Sequence, residues 1–414
     1  DSLTGLLNRD QFYEDVHDMV NKYHDTTFYL ICSNIKDFKF INEIFGMEKG
    51  NQVLIKQAKL MASNPSERTI CARLMNDRFA LCLPREEFDE KRVADSIKEL
   101  QREFSGNSFH LHTYMGVYEI RDRDEAVSIM VDKANIAADT IKNNYDCCVA
   151  YYDEHLLEIS IEQRRLLGEF EPALQNDEFV MYLQPQVKRD GAAKGAEALV
   201  RWVHPSRGIL TPYAFIDILE NAGLIYKLDL YIWEKAAQKL AEWKEKGYGS
   251  YHISVNISTK DFYIIDIYET FTGLINKYGI AASNLHLEIT ETTLMTDFEK
   301  NMNIIHKLQG VGFRVEIDDF GSGYSSLNML KDISADVLKI DMGFLRKSEN
   351  EVKGQDILEI IITLAGKIGM DVITEGVETK KQLDMLTMMG CHEFQGYYFS
   401  KPVPVSEFEE KYLV

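Results

Sequence analysis

Two rhythms of apolar and polar positions run along this chain. In the first part, strand-like runs such as TFYLICSNI, FALCLP and HLHTYMGVYEI alternate with stretches whose apolar residues recur at helical spacing, NQVLIKQAKLMAS and AVSIMVDKANIAADTIKNN. That pattern predicts a compact α/β sandwich. A charged helical connector, DEHLLEISIEQRRLLGEFEPALQNDEF, then carries the chain onward without a Gly/Ser linker. It places the boundary near residues 155–165 and predicts two semi-rigidly joined domains, 1–158 and 163–414.

Beyond the connector the beat is more regular. FVMYLQPQV, GAEALVRWV, HISVNIS, LHLEIT, FRVEIDD, DVLKID, DVITEGV and EFQGYYFS read as short strands, most of them separated by helical segments. Strands and helices in that alternation predict a (β/α)8 barrel. The polar residues at or near the strand ends are, in order, Gln184, Glu197, Asn256, Glu288, Asp318 with Asp319, Lys339, Glu375 and Gln395. Closing a barrel brings all of them to one rim, the end where barrel enzymes carry their chemistry.

A single acidic residue at a strand end is usually a solvated loop residue or a helix cap. A whole ring of them is not explained that way. Glu197, Asn256, Glu288, Asp318 and Asp319 offer hard oxygen donors without cysteine or an obvious histidine, a set suited to Mg2+ or Mn2+ over Zn2+. The adjacent aspartates allow one carboxylate to bridge two ions about 3.5–4 Å apart, as in phosphodiester hydrolysis. Lys339 and Glu375 then suit charge balance, water orientation and proton relay.

Charge narrows the partners. Lys plus Arg total 46 against 66 Asp plus Glu, a formal charge of −20, which argues against a long nucleic acid tracked by its phosphates. A small anion held by cations and a few local basic residues stays compatible with it. At 414 residues the chain exceeds the size of one core. Its longest apolar stretch, ILEIIITLAGKIGM, is broken by Glu359, Gly366 and Lys367, too short for a span. No membrane contact by the chain itself is expected. The six cysteines form no CxxC pair and sit mostly in strand-like contexts, which predicts reduced core thiols and a cytoplasmic location. Because the chain opens on Asp1 and not on Met, inside a segment that reads as ordered, it is expected to be a fragment of a longer protein with an upstream sensor or membrane part. His110 and His112 alternate as strand positions, and MLTMMGC near Met385 has the spacing of a helix core face. Neither reads as a metal site.

The motifs EALVRW, VNIS, LEITET, EIDDFGSGYSSL, LKIDMGFL, ITEGVET and QGYYFSKP resemble, in order, the signatures of EAL domains, the cyclic di-GMP phosphodiesterases, over roughly residues 163–414. The resemblance implies hydrolysis of cyclic di-GMP to linear pGpG by two metal ions, Mg2+ or Mn2+, on a modified barrel whose first strand runs antiparallel. It implies metal ligands at Glu197, Asn256, Glu288, Asp318 and Asp319, with Glu375 close to the second metal and Lys339 as the catalytic lysine. Gln184, Arg201, Glu378 and Gln395 match positions that contact substrate or support the site. Glu291 matches a glutamate bracing the glycine-containing loop after Asp319. The alternative is a catalytically silent cyclic di-GMP receptor acting through partners, although such relatives generally lose the EAL glutamate or the aspartate pair.

The first part, from DSLTGLLNRDQF onward, resembles a GGDEF domain with large departures. The signature pentapeptide reads MNDRF at Met75 to Phe79, so both glycines are gone. Asn34 and Lys36 stand where two aspartates are expected, and Asn51 replaces another, although Asn42 remains. SERT at Ser66 to Thr69 does not fit the RxxD inhibition motif. The resemblance therefore implies a degenerate domain that does not cyclise GTP, either a structural or dimerising module or a GTP-sensing one, in a chain expected to work as a homodimer.

Overall fold

A computed structural model describes residues 1–36, 38–63, 66–104, 111–142, 144, 147–320, 333–341 and 351–413, without the side chains of residues 40, 43, 44 and 351–353. Two compact units result, residues 1–164 and 165–414, and the division falls inside the helix Glu154–Gln175. Among the described residues no helix is long and apolar enough to cross a membrane. All six cysteines are free.

The first unit is a five-stranded sheet built from β1 (Phe28–Ile35), β2 (Ile70–Met75), β3 (Arg78–Pro84), β4 (Thr113–Glu119) and β5 (Val149–Tyr151), in the order β2-β3-β1-β4-β5. Only the β4–β5 pair is parallel. β1 is central and buried at every position, so it reads as a continuous apolar run and not as an alternation. Its Phe28, Leu30 and Cys32 pack on one face with the helices Arg9–Lys22 and Val127–Thr140. Tyr29 and Ile31 pack on the other, with Ile97 of the helix Glu90–Phe104. The helix Val127–Thr140 buries Val127, Met130, Val131, Ala134, Ala137 and Ala138, a stripe at the helical period. Small residues let it settle very near the sheet: a beta carbon on Gly116 of β4 would fall 1.8 Å from the Ala134 carbonyl oxygen.

The second unit closes a barrel. Its strands are β6 (Phe179–Lys188), β7 (Ala193–His204), β9 (His252–Ile257), β10 (Leu285–Thr290), β11 (Val315–Phe320), β12 (Val337–Asp341), β13 (Asp371–Glu375) and β14 (Glu393–Phe394), with β8 (Gly208–Leu210) and β15 (Val403–Pro404) as outlying additions. From β7 through β14 neighbouring barrel strands run parallel, and β6 closes the ring antiparallel to both β7 and β14. The helix Ile225–Glu245 shows how the shell packs: Ile225, Leu228, Ile232, Trp233, Ala236, Ala237, Leu240 and Trp243 form one buried stripe. Each large apolar side chain so buried contributes about 1.5–3 kcal/mol. The Trp233 indole N–H also donates to the Asn256 carbonyl at 2.9 Å, tying this helix to the rim end of β9.

Two expectations change in the structure. Glu197 lies midway along β7 and Gln184 midway along β6, where they face each other in register; the β6–β7 hairpin overshoots the barrel, so its strand ends are not at the site. The eighth strand shrinks to two residues, and Gln395 follows it. In the MLTMMGC segment Leu386 is fully buried, but Met388 is 81% exposed, so only part of that stretch is core. His110 lies outside the described residues; His112 is buried on the way into β4.

Candidate active site

The barrel interior alternates as strands must, with every second residue pointing inward. Branched aliphatic residues usually fill such a barrel. Here Ser254, Glu288 and Lys339 are fully buried, and Glu197 and Gln184 nearly so. Lys339 sits at the centre. Its Nζ lies 2.7 Å from Glu375, 2.9 Å from Glu288, 3.2 Å from Asp318 and 3.5 Å from Glu197. None of these contacts has hydrogen-bond geometry, since Lys339 Nζ, both Glu288 oxygens and Glu375 Oε1 have no hydrogen bond among the described residues.

The opening to this cluster is built by β11. On a regular strand Asp318 and Asp319 would face opposite sides of the sheet. Asp319 instead takes a left-handed backbone with φ of 55°, and the β11–β12 register shifts between Ile317 and Phe320. An aspartate tolerates that conformation better than most residues, and a bulge of this kind re-aims a side chain. The result is that Asp318, Asp319 and Glu375 offer carboxylate oxygens within 4.8 Å of one another. The Asp319 amide donates to Asp318 Oδ1 at 2.9 Å, which fixes the first carboxylate.

Amides hold the other side. Asn256 Nδ2 donates to Glu197 Oε1 at 3.1 Å, leaving the Asn256 oxygen available for a cation. Gln395 donates to Glu197 Oε2 and, at 3.3 Å, to Gln184 Oε1, while Gln184 donates to the Ser400 carbonyl at 3.3 Å. Arg201 stacks its guanidinium 5.5 Å from the Tyr182 ring centre and is half-buried. Glu378 is exposed beside the capped start of the helix Lys380–Met388, its amide bonded to Gln382. Glu291 opens the helix Glu291–Thr296 directly after β10. The loop it was expected to brace, including Gly321 and Gly323, lies outside the described residues.

Electrostatics follow from crowding. Burial and then the neighbouring Glu197 push the Glu288 carboxyl well up. Burial first, with Asp318 and Glu197 behind it and Lys339 opposing, pushes Glu375 up to about 8. Asp319 is raised by burial, Asp318 and Asp341. Burial works against the charge on Lys339, but Asp318, Glu197, Glu288 and Glu375 together raise its pKa well above that of a free lysine. Five carboxylates around one ammonium, with both Glu288 oxygens and one of Glu375 lacking a hydrogen bond among the described residues, fit divalent cations, whose binding would release the protons that crowding retains. Asp341, in register with Glu375, was not singled out from the sequence. Its position two residues after Lys339, hence on the same strand face, was the available signal.

Comparison with known proteins gives a family to each part of the chain. The family model described as EAL domain matches residues 168–402, and that described as diguanylate cyclase, GGDEF domain, matches residues 1–146. The bifunctional diguanylate cyclase/cyclic di-GMP phosphodiesterase MucR of Pseudomonas aeruginosa is 29% identical over 421 aligned residues, covering 98% of this chain. The chain spans 60% of that relative's length. Among solved structures, the PaMucR phosphodiesterase in complex with c-di-GMP is 33% identical, covers 59% of this chain and 99% of its own, and superposes with a TM-score of 0.56. The Vibrio cholerae LapD S helix-GGDEF-EAL structure, at 18% identity, covers 96% of this chain and 95% of its own with a TM-score of 0.60, a likeness of fold.

Proposed function

The chain belongs to the EAL domain family over residues 168–402, behind a GGDEF domain over residues 1–146, and from that premise we propose that its barrel hydrolyses cyclic di-GMP to linear pGpG. The observation that carries this reading is the rim itself: five carboxylates converging around the buried Lys339. Glu197, Asn256, Glu288, Asp318 and Asp319 would hold two Mg2+ or Mn2+ ions. Bound there, the cations supply Lewis acidity to the phosphodiester oxygens and acidify water.

The remaining steps belong to side chains. Glu375, whose carboxylate stands beside Lys339 and the aspartate pair, would take a proton from the incoming water once bound cations offset the crowding that keeps it protonated without metal. Lys339 keeps its positive charge inside the barrel and offsets charge that builds on the phosphoryl oxygens. Gln184 and Gln395 orient Glu197 through the amide relay. Arg201, backed by Tyr182, offers a planar cation to a phosphate or a guanine edge, and Glu378 lies on the exposed side, where the second base would rest. The bracing role of Glu291 remains part of this proposal.

The first domain, on the same reading, does not cyclise GTP. Asn34 is buried on β1 where an acidic metal ligand would be needed, and Asn76 occupies the left-handed turn position, φ 53°, that a glycine would fill. Such a domain serves a structural, dimerising or GTP-sensing role. A homodimer in the cytoplasm fits the reading, with the six thiols reduced.

The test is direct. The purified chain is incubated with cyclic di-GMP and Mg2+ or Mn2+, and products are separated by chromatography. pGpG should form with wild type and fall below detection in Glu197→Ala and Asp318→Asn, because each removes a metal-facing oxygen. Binding without any pGpG would make the chain a receptor instead, and near-full activity in either variant would overturn the two-metal assignment.

A further inference from the structure

The end of the barrel opposite the rim carries a second constellation of a different chemistry. His252 begins β9, His286 is the second residue of β10 and Glu316 the second of β11. All three side chains point inward and are buried, Glu316 completely. One donor atom from each lies within 4.8 Å of the others.

Their hydrogen bonds bear on which ring nitrogens carry protons. His252 Nε2 meets the Gln186 side-chain oxygen at 2.7 Å, an acceptor, so that nitrogen carries the proton and Nδ1 holds a lone pair. No hydrogen bond engages His252 Nδ1 among the described residues. His286 Nε2 meets the Ser283 carbonyl at 3.2 Å, which turns its Nδ1 toward Glu316 Oε1 at 2.6 Å. Histidines that bind metals characteristically give their other ring N–H to a carbonyl, amide or carboxylate oxygen in this way. Ser254 donates to Glu316 Oε1 at 3.3 Å, but Glu316 Oε2 has no hydrogen-bond partner. A buried carboxylate oxygen left bare is costly unless a cation takes it.

The backbone is cut to fit the rings. The two imidazoles stack 3.8 Å apart at 3°, and a beta carbon on Gly195 would fall 2.4 Å from the His252 ring. Beyond the cluster opens a cavity of about 620 Å³, lined among others by Lys194, Tyr248, Tyr251, Arg314 and Glu393. It leaves room for an exchangeable fourth ligand.

We propose that His252, His286 and Glu316 form a transition-metal site of the Zn2+ class at the base of the barrel, distinct from the oxygen-only site at the rim. Two nitrogens and one carboxylate with an open fourth position make a Zn2+ donor set, whereas Mg2+ and Mn2+ favour the all-oxygen rim. Lone pairs of two stacked imidazoles run parallel, so Zn–N bonds of about 2.0–2.1 Å require one ring to turn out of the stack as the ion replaces the proton between His286 and Glu316, which leaves to solvent. The site would clamp β9, β10 and β11 at the end where catalysis does not occur, and it stands whether or not the rim hydrolyses cyclic di-GMP.

The experiment uses the full, untagged chain, stripped of metal and titrated with Co2+. The oxygen-only rim gives the weak absorption of octahedral cobalt. One equivalent should instead produce an intense visible band of low-coordinate cobalt with nitrogen donors, removed by stoichiometric Zn2+ and unaffected by excess Mg2+. Glu316→Gln and His252→Gln should each lose that band and bind Zn2+ more than about 100-fold more weakly, beyond what loss of an outer hydrogen bond causes, while Asp318→Asn keeps it. Gly195→Ala alters no donor but displaces the His252 ring, and it should weaken Zn2+ as well. Only weak octahedral absorption from wild type, or a band that survives Glu316→Gln and Gly195→Ala, would overturn the site.

Discussion

Lys339 governs the charge balance of the rim. Within the barrel it is the ammonium that four carboxylates touch, and removing one partner of a buried ion cluster costs about 3–5 kcal/mol because the rest are left uncompensated. Lys339→Met should therefore abolish hydrolysis and lower the melting temperature of the metal-free protein. Divalent cations would then replace the missing charge, so Mn2+ should raise the melting temperature of the variant by more than it raises that of wild type. Equal increments in paired thermal melts would show that the lysine does not share the cations' place. At the same scale, a single backbone torsion at Asp319 decides whether the second aspartate reaches the site.

Between elements, Glu316 couples β11 to β10 through His286. Burial alone would raise its carboxyl, but the hydrogen bond and charge of His286, with Lys339 and His252 behind it, hold it below the usual range. A carboxyl lowered on folding stabilises the fold above its unfolded pKa of about 4.3, and that contribution fades as pH falls toward the folded value. His252 is pushed well below an ordinary histidine, first by burial and then by His286. The unfolded chain therefore takes up a proton there first as pH drops below about 6.5, which also erodes stability. Urea midpoints should fall with acidification in both windows. Glu316→Gln should be less stable than wild type at pH 7, with a gap that narrows below about pH 4; parallel curves would remove Glu316 from the account. In the first unit, Gly116→Ala forces a beta carbon into the Ala134 carbonyl and should cost about 1–3 kcal/mol or more, as overpacking does, read as an earlier urea transition of that unit.

For the whole molecule, the two units have opposite fates on the proposed reading: the barrel gathers five carboxylates at its rim, whereas the sheet domain carries Asn34 and Asn76 where a cyclase would need an acidic ligand and a glycine. The two-unit chain with Asp318→Asn, expected not to degrade product, should make no cyclic di-GMP from GTP with Mg2+ or Mn2+. Cyclic product in that assay would restore the first domain as a cyclase. The net charge of −20 makes the rim's local cations decisive for an anionic substrate, so activity should depend on divalent ions far more than on general salt screening.

The α/β character of both parts, and a polar residue on most barrel strands, were legible in the sequence, because strand alternation and motif order are local properties that survive without coordinates. EALVRW, VNIS, LEITET and EIDDF named the ring before any fold was known. Tertiary structure alone decided three things. Gln184 and Glu197 reach the site from the middle of β6 and β7 and not from strand ends, because the β6–β7 pair runs past the ring it closes, a length that no run of residues records. The left-handed turn at Asp319 and the register shift beside it put neighbouring aspartates on one target, against the alternation a strand imposes. And His252, His286 and Glu316, each an unremarked inward position on its own strand, become a cluster only when β9, β10 and β11 lie side by side, since contacts made across a sheet depend on register and not on spacing along the chain.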